Sequence, residues 1–551
     1  MRAEWNGRPP ESFGARAIDI VLAMTKRTLP GVRLAELVAS LSLATDLGLG
    51  QPQEHVLRQT VIAARLAAAA HLSEDERASS FYVSLLAWVG CVADSHELSR
   101  WFDDDTGIRA ASYEVDRAGL PMMRFLLGHL AAGGSLQRVA TMGRFVTGGL
   151  SEVMNSLAAH CETTGDIADR LGLAPEVRRA LPQALERWDG KGGPSGLSGT
   201  QIEPVMRLVQ VANEAEVFSR LGGPQAAIRM LRERRGREFD PALVDACIAN
   251  AAQVFADLDS VDAWSVVIEG CAALDREMDE SELRAALETF ADYADVKSPW
   301  FLGHSRAVAA LAAEAARLAG LPADEVELVE RAGFVCRIGT IGVGTGTWNR
   351  PGALSRIEWE RVRTVPYLTE RVLKRQLRLA EIGTIAGMLH EMIDGSGYPR
   401  GLSGAAIPPG ARVLAAAEVY QALREARPYR PAHTRAQAQT VLLHEAAAGR
   451  LDGAAANAVL AAAGHQIRRR PSLVAGLTAR EVEVLALLVR GLPNKQVAAA
   501  LAVTPRTVGS HIEHIYTKIG VSTRGSAAMY AMRHGLVDAV PSDEEALESI
   551  G

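Results

Sequence analysis

Between Thr504 and Gly520 the chain carries Arg506, Thr507, Gly509, Ser510, Glu513, His514, Thr517 and Lys518, side chains of the kinds that contact nucleic acids. Val508, Ile512, Ile515 and Ile519 recur at helical spacing. They turn one stripe inward and leave the polar residues on the opposite face. An arginine there suits a phosphate, while Ser, Glu and His can reach base edges. Glycine inside a helix costs about 1 kcal/mol relative to alanine, and close approach to a groove wall or phosphate gives Gly509 a reason. Lys495, Arg480, Arg490 and Arg524, with Arg468, Arg469 and Arg470, form a local basic surface in a chain of formal net charge −6. His160, Cys161 and Glu162 are metal-ligating types, but adjacent residues of a helix do not face one point.

Four short helices must present that face. Thr478 and Glu481 form a capping box ahead of Val482, Leu485, Ala486 and Val489, and Gly491 supplies the stop. A second helix starts near Asn494 and buries Val497, Ala498 and Leu501. Ala502 and Val503 make the turn into Thr504 and Pro505, an N-cap followed by proline at the first helical position. A fourth helix begins at Ser522 and Thr523 and ends at Gly535. Two helices joined by a short turn make a helix-turn-helix, although a plain helical bundle has the same pattern. The strings T-x-R-E-x-E-V-L, N-K-x-V-A, T-x-R-T-V-x-x-H and K-I-G-V-x-[ST]-R resemble the LuxR-type DNA-binding domain over its whole length. That resemblance implies double-stranded DNA as a partner and Lys495, Thr504, Arg506, Thr507, Gly509, Ser510, Glu513, His514 and Lys518 as the contact set.

Upstream, apolar spacing is helical almost throughout, with heavy use of alanine. At 551 residues, 48% hydrophobic and 23% charged, the chain is long enough for about three cores. Five scattered cysteines with no C-x-x-C pair exclude a disulfide framework. No apolar run approaches the ~20 residues of a membrane span, and the first ten residues lack a signal-peptide core. The expected location is the cytoplasm.

The chain repeats itself. The segment from Leu185 parallels the one from His390: Glu186 matches Glu391, Asp189 matches Asp394, and Gly196 to Gly199 matches Gly401 to Gly404. The segment around His55 parallels that around His304. The two offsets differ, so the first copy holds about forty extra residues within 92–180.

In the second copy, D-x-K-S-P at Asp295 to Pro299, His304, I-G-x-I-G from Ile338, H-E-x-x-D-G-S-G-Y-P from His390, G-L-x-G-x-x-I-P from Gly401 and R-P-Y-R from Arg427 follow in order. Across about 290–465 this resembles an HD-GYP domain, which implies an all-helical fold, a centre of two or three iron or other divalent ions, and cyclic di-GMP hydrolysis. On the family's pattern the ligand set is broken. Its His-Asp pair falls on Cys336 and Arg337, its lysine on Thr340, its first His of a His-His-Glu run on Leu389 and its late Asp on Glu418. A guanidinium stays protonated and cannot ligate. His304, Cys336, Arg337, His390, Glu391 and Glu418 are therefore expected as a degenerate pocket with no catalytic and no metal role; one residual divalent ion at His304, His390 and Glu418 is the alternative. In the first copy His55 survives, but the matching positions are Ala87 and Trp88, Ala184 and Leu185, and Asn213, with Gly193 in place of the tyrosine of G-Y-P. Trp88 and Trp188 either line a pocket or fill the vacated volume.

The reading is all-α: a leader at 1–30, one degenerate unit at 31–260, a connecting helix at 261–285, a second unit at 286–466, a basic linker at 467–475, the helix-turn-helix at 476–540 and an acidic tail at 541–551. It resembles an HD–LuxR transcription regulator whose helical units pair two chains and sense a small-molecule or protein effector, with no cofactor and no membrane. The alternative is a metal-dependent cyclic di-GMP phosphodiesterase with an appended DNA-binding domain.

Overall fold

The computed structural model describes residues 31–102, 104–130, 141–270, 275–464, 477–534 and 536; the leader, the basic linker and the acidic tail lie outside them. The fold is all-α. A two-residue antiparallel pair, β1 (Val32–Arg33) with β2 (Glu277–Met278), is the one sheet among the described residues.

The first unit is built on α1 (Leu34–Gly48), α2 (His55–Ala69) and α3 (Glu74–Leu86), then on α4 (Leu150–Arg170) and α5 (Pro204–Arg234). The second uses α6 (Glu280–Asp295), α7 (His304–Leu318), α8 (Ala323–Val335) and α9 (Pro409–Arg424). The C-terminal unit is α10 (Ala479–Val489), α11 (Asn494–Ala500), α12 (Pro505–Ile519) and α13 (Arg524–Arg533). Among the described residues no single helix is long and apolar enough to cross a membrane.

The repeat is visible in local geometry. Both α2 and α7 open on a histidine that follows a left-handed residue, Glu54 at φ 72° and Gly303 at φ 75°. Each unit also braces its glycine-rich loop with one carboxylate. Glu186 accepts the backbone N–H of Ser195 (2.7 Å) and Leu197 (2.9 Å); Glu391 accepts those of Arg400 and Leu402 (both 2.7 Å). The loop turns back so tightly that a Cβ on Gly397 would lie 2.3 Å from the Met392 amide nitrogen, and on Gly192 2.5 Å from that of Arg187. Only glycine fits there.

One expected element is absent. Residues 261–285 are not a connecting helix: they contain the short helix Ala263–Glu269, then β2, and α6 starts at Glu280, where Asp279 caps it and accepts from Ser281 and Glu282. An N-cap of that strength stops a helix from running through. The extra residues of the first copy form the helices Ser95–Phe102, Asp105–Ser112 and Gly119–His129 and the start of α4.

That insertion ties the two units together. Lys297, from the D-x-K-S-P stretch, is fully buried and donates to Asp105 at 2.6 Å. The same carboxylate accepts from the Thr345 backbone (2.6 Å) and from Arg109 (2.8 Å), and Arg109 also reaches Asp94. Burial alone would push the Asp105 carboxyl up, yet Lys297 and Arg109 hold it well below the carboxylate range. Removing one partner of such a cluster strands a charge. Lys297→Met is expected to lower unfolding free energy by about 3 kcal/mol in urea titration, and Lys297→Met with Asp105→Leu by less than the sum of the two single changes.

Candidate functional site

His304 is fully buried at the start of α7. Its Nδ1 lies 2.7 Å from Glu425, just past the end of α9, and Arg427 (2.7 Å) and Gln421 (2.8 Å) donate to the same carboxylate. Burial would raise Glu425, but His304 and Arg427 hold it at about 2. A carboxylate only accepts, so His304 Nδ1 carries the proton and its Nε2 presents a lone pair. That Nε2 has no hydrogen-bond partner and sits 3.9 Å from Glu418. Burial lowers His304 and His390 from the usual imidazole value.

Arg337 stands among these groups. Its guanidinium lies over Phe301, 4.0 Å from the ring centroid, with Trp348 at 5.8 Å, and one nitrogen is 3.6 Å from Glu418. Burial works against ionised Glu418, but His390, His304 and Arg337 outweigh it and hold the carboxyl below its usual value. His390 packs on Tyr398 with centroids 5.0 Å apart.

Two residues expected in this pocket spend their polar atoms on the backbone. Glu391 is spent on the loop amides, and Cys336 donates its thiol to the Gly333 carbonyl at 3.1 Å, with burial pushing it far above the usual thiol range. Sequence reasoning missed Glu425, Arg427, Phe301 and Trp348 as pocket members; Arg427 was visible only as part of the R-P-Y-R string. The donors left, two imidazoles and one carboxylate facing a permanent cation, do not fit a two-metal centre. Among the described residues no group of three or more His, Cys, Asp or Glu is arranged to hold a metal ion.

The first unit's cleft is filled. His55 contacts Glu216 through Nδ1 at 2.5 Å and Asn213 through Nε2 at 3.2 Å, and Tyr113 of the insertion meets its ring edge-on. Trp88 is buried and donates to Gln59 at 2.9 Å, so it fills volume; Trp188 is half-buried under Arg207. His160 contacts the Ala87 carbonyl while neighbouring Glu162 faces the C-terminal unit, so these ligating types diverge.

On the C-terminal unit, Arg506, Thr507, Ser510, Glu513, His514 and Thr517 are exposed along α12, and Lys495 is exposed on α11. Thr504 caps α12 by accepting from the Thr507 amide. A Cβ on Gly509 would meet nothing within 4 Å, so the groove side is open there. Lys518 is the exception in the expected contact set. It bonds Glu481 at 2.7 and 2.9 Å, bracing α12 against the capping box of α10, a structural duty.

An HD-domain family model matches residues 150–243 and 288–455, and the model for bacterial regulatory proteins of the luxR family matches 475–531. This is an HD-domain protein with a LuxR-family unit. The HD part resembles the 3'3'-cGAMP-specific phosphodiesterase 3 of Vibrio cholerae, 28% identical over 75% of this chain and 90% of that protein. A crystal structure of a cyclic GMP-AMP specific phosphodiesterase from V. cholerae shares the fold, with TM-score 0.56 and 24% identity over 80% of this chain and 99% of the other. The LuxR-family unit resembles response regulator VraR of Staphylococcus aureus, 36% identical over 13% of this chain and 35% of that one. The chain is thus a DNA-binding regulator type of architecture carrying an HD module.

The filled cleft of the first HD unit generates a pH dependence. Burial raises Asp46, beside His55 and Glu216, to about 7. A carboxyl raised on folding stabilises below its unfolded value and withdraws that stability as pH climbs toward the folded one. Asp46→Asn keeps the acceptor for the Val56 amide and should leave stability near wild type at pH 4. Its advantage should grow to a few kcal/mol by pH 8 in denaturant titrations.

Proposed function

We propose that this chain is a transcriptional regulator in which the HD units no longer hydrolyse a cyclic dinucleotide and instead pair two chains and sense an effector. The observation that carries this reading is Arg337, laid on Phe301 and facing Glu418 in the second cleft. Two-metal hydrolysis requires several deprotonated ligands around each cation. Arg337 offers a fixed positive charge in that place, worth several kcal/mol of repulsion toward a divalent ion even at an effective dielectric near 20.

Contacts between the cleft and the LuxR-family unit support a sensing role. Pro299, two residues from Phe301, lies against Gly491 at the end of α10. Asn349, next to Trp348, bonds both Ser298 (2.8 Å) and His96 of the insertion (3.0 Å). The walls of the cleft and the floor under the DNA-binding unit are the same short segments. An effector that moved one would displace the other. Two paired chains would offer two copies of α12 at a spacing of about one DNA turn, in the cytoplasm, without a resident metal.

A second reading, a metal-dependent phosphodiesterase with an appended DNA-binding unit, is favoured by the similarity to 3'3'-cGAMP and cyclic di-GMP phosphodiesterases and by retention of His304 and His390, with Glu418 in place of the late aspartate. The two readings part on one assay. Purified protein incubated with iron or manganese and with either cyclic dinucleotide is expected to give no linear product over hours. Turnover that His390→Ala abolishes would sink the first reading.

On DNA, Arg506→Ala should weaken binding to all duplexes alike and reduce the salt slope by about one. Glu513→Ala should instead relax preference at one base pair, by about 1–3 kcal/mol, since a carboxylate accepts from a cytosine amino group. Competition binding over a single-base-variant duplex panel distinguishes the two patterns.

A further inference from the structure

The LuxR-family unit is seated on the first HD unit through α13, which packs along α4. At the start of α13 the hydroxyls of Ser522, Thr523 and Ser526 all donate to one carboxylate, Glu162. Near its end Arg533 pairs with Asp166 at 2.9 Å. Glu162 and Asp166 are one turn apart on α4, so a single helix face holds both ends of α13. The seat is close-fitting. A Cβ added to Gly525 would lie 3.2 Å from the Ala93 carbonyl oxygen and 3.3 Å from the Ala159 Cβ.

The chemistry of the grip is anionic. A helix start with hydroxyls and unpaired amides attracts negative charge, and here the HD unit supplies it. A unit held at both ends of α13 keeps the orientation that the HD body dictates, whereas two recognition helices on one duplex must take the orientation that DNA dictates. Only the released fraction of molecules is free to comply, so apparent affinity falls by that fraction.

We propose that Glu162 and Asp166 form an autoinhibitory latch: they hold the LuxR-family unit on α4, and DNA must displace them to bind. The proposal rests on the reading that the chain binds DNA, and the wild-type protein tests that reading in the same experiment. The probe is a 30-base-pair duplex of random sequence, titrated by fluorescence anisotropy at fixed salt, with amide hydrogen exchange followed over 522–533. Full-length Glu162→Ala and Asp166→Ala should each exchange faster in that segment and bind the duplex about five-fold or more tightly. Glu176→Ala removes an equal charge from the exposed helix Pro175–Ala180 of the same unit and should change neither. Faster exchange with unchanged affinity would overturn the latch, as would unchanged exchange, or an equal gain in Glu176→Ala. Absence of duplex binding by every form, wild type included, would overturn the DNA-binding reading and the latch with it.

Discussion

Two helical units packed side by side need something to set their register, and the fully buried contact of Lys297 with Asp105 does so. Hydrophobic packing is non-directional and the alanine-rich helices around it tolerate sliding. A charged cluster in a dry interior does not, because any shift leaves an ion without its partner. Lys297 sits two residues from the α6 terminus and one turn before the wall of the second cleft, while Asp105 belongs to the insertion of the first unit. The insertion thereby positions the cleft, the α4 seat and the C-terminal unit together. Aligning the chain with itself shows the insertion only as an excess of length.

The two HD units keep the same frame and have diverged at their centres. Both retain the helix-opening histidine and the carboxylate-braced loop. Both also give the histidine an acidic partner: Glu216 within α5 in the first, Glu425 just past the end of α9 in the second. At the position matching Glu216 the second unit has Gln421, which bonds Glu425; at the position matching Glu425 the first has Arg220, which bonds Glu216. The carboxylate has moved four positions along the chain with its polar neighbour trading places. A buried imidazole needs its proton directed somewhere, and either position meets that need.

Much of this was legible in the sequence. The capping box at Thr478 and Glu481, the Thr504 cap and the glycine stop at Gly491 are local signals, and the helices of the C-terminal unit fall where those signals place them. The repeat was legible because glycine and carboxylate spacing in the braced loop is itself a fold requirement. What stayed hidden are pairs far apart in the chain: Lys297 with Asp105, His304 with Glu425, Glu162 with the serines and threonine near α13. Their spacing reflects tertiary approach, so no periodicity announces them. The same limit explains Lys518, a cation on the expected face whose partner lies on another helix, and the supposed connecting helix, where β2 pairs with a strand at the other end of the unit.

The braced loop also bears on how such chains are counted. Glu391 and Gly397 serve the backbone: one satisfies amides, the other permits a close approach. Neither contact involves a metal or a substrate, so the demands of a stable fold are enough to account for the glutamate and the close-packed glycine in the string H-E-x-x-D-G-x-G-Y-P. A genome survey that tallies this signature is therefore taking a census of scaffolds, and the tally by itself does not measure the capacity of an organism to degrade its second messengers.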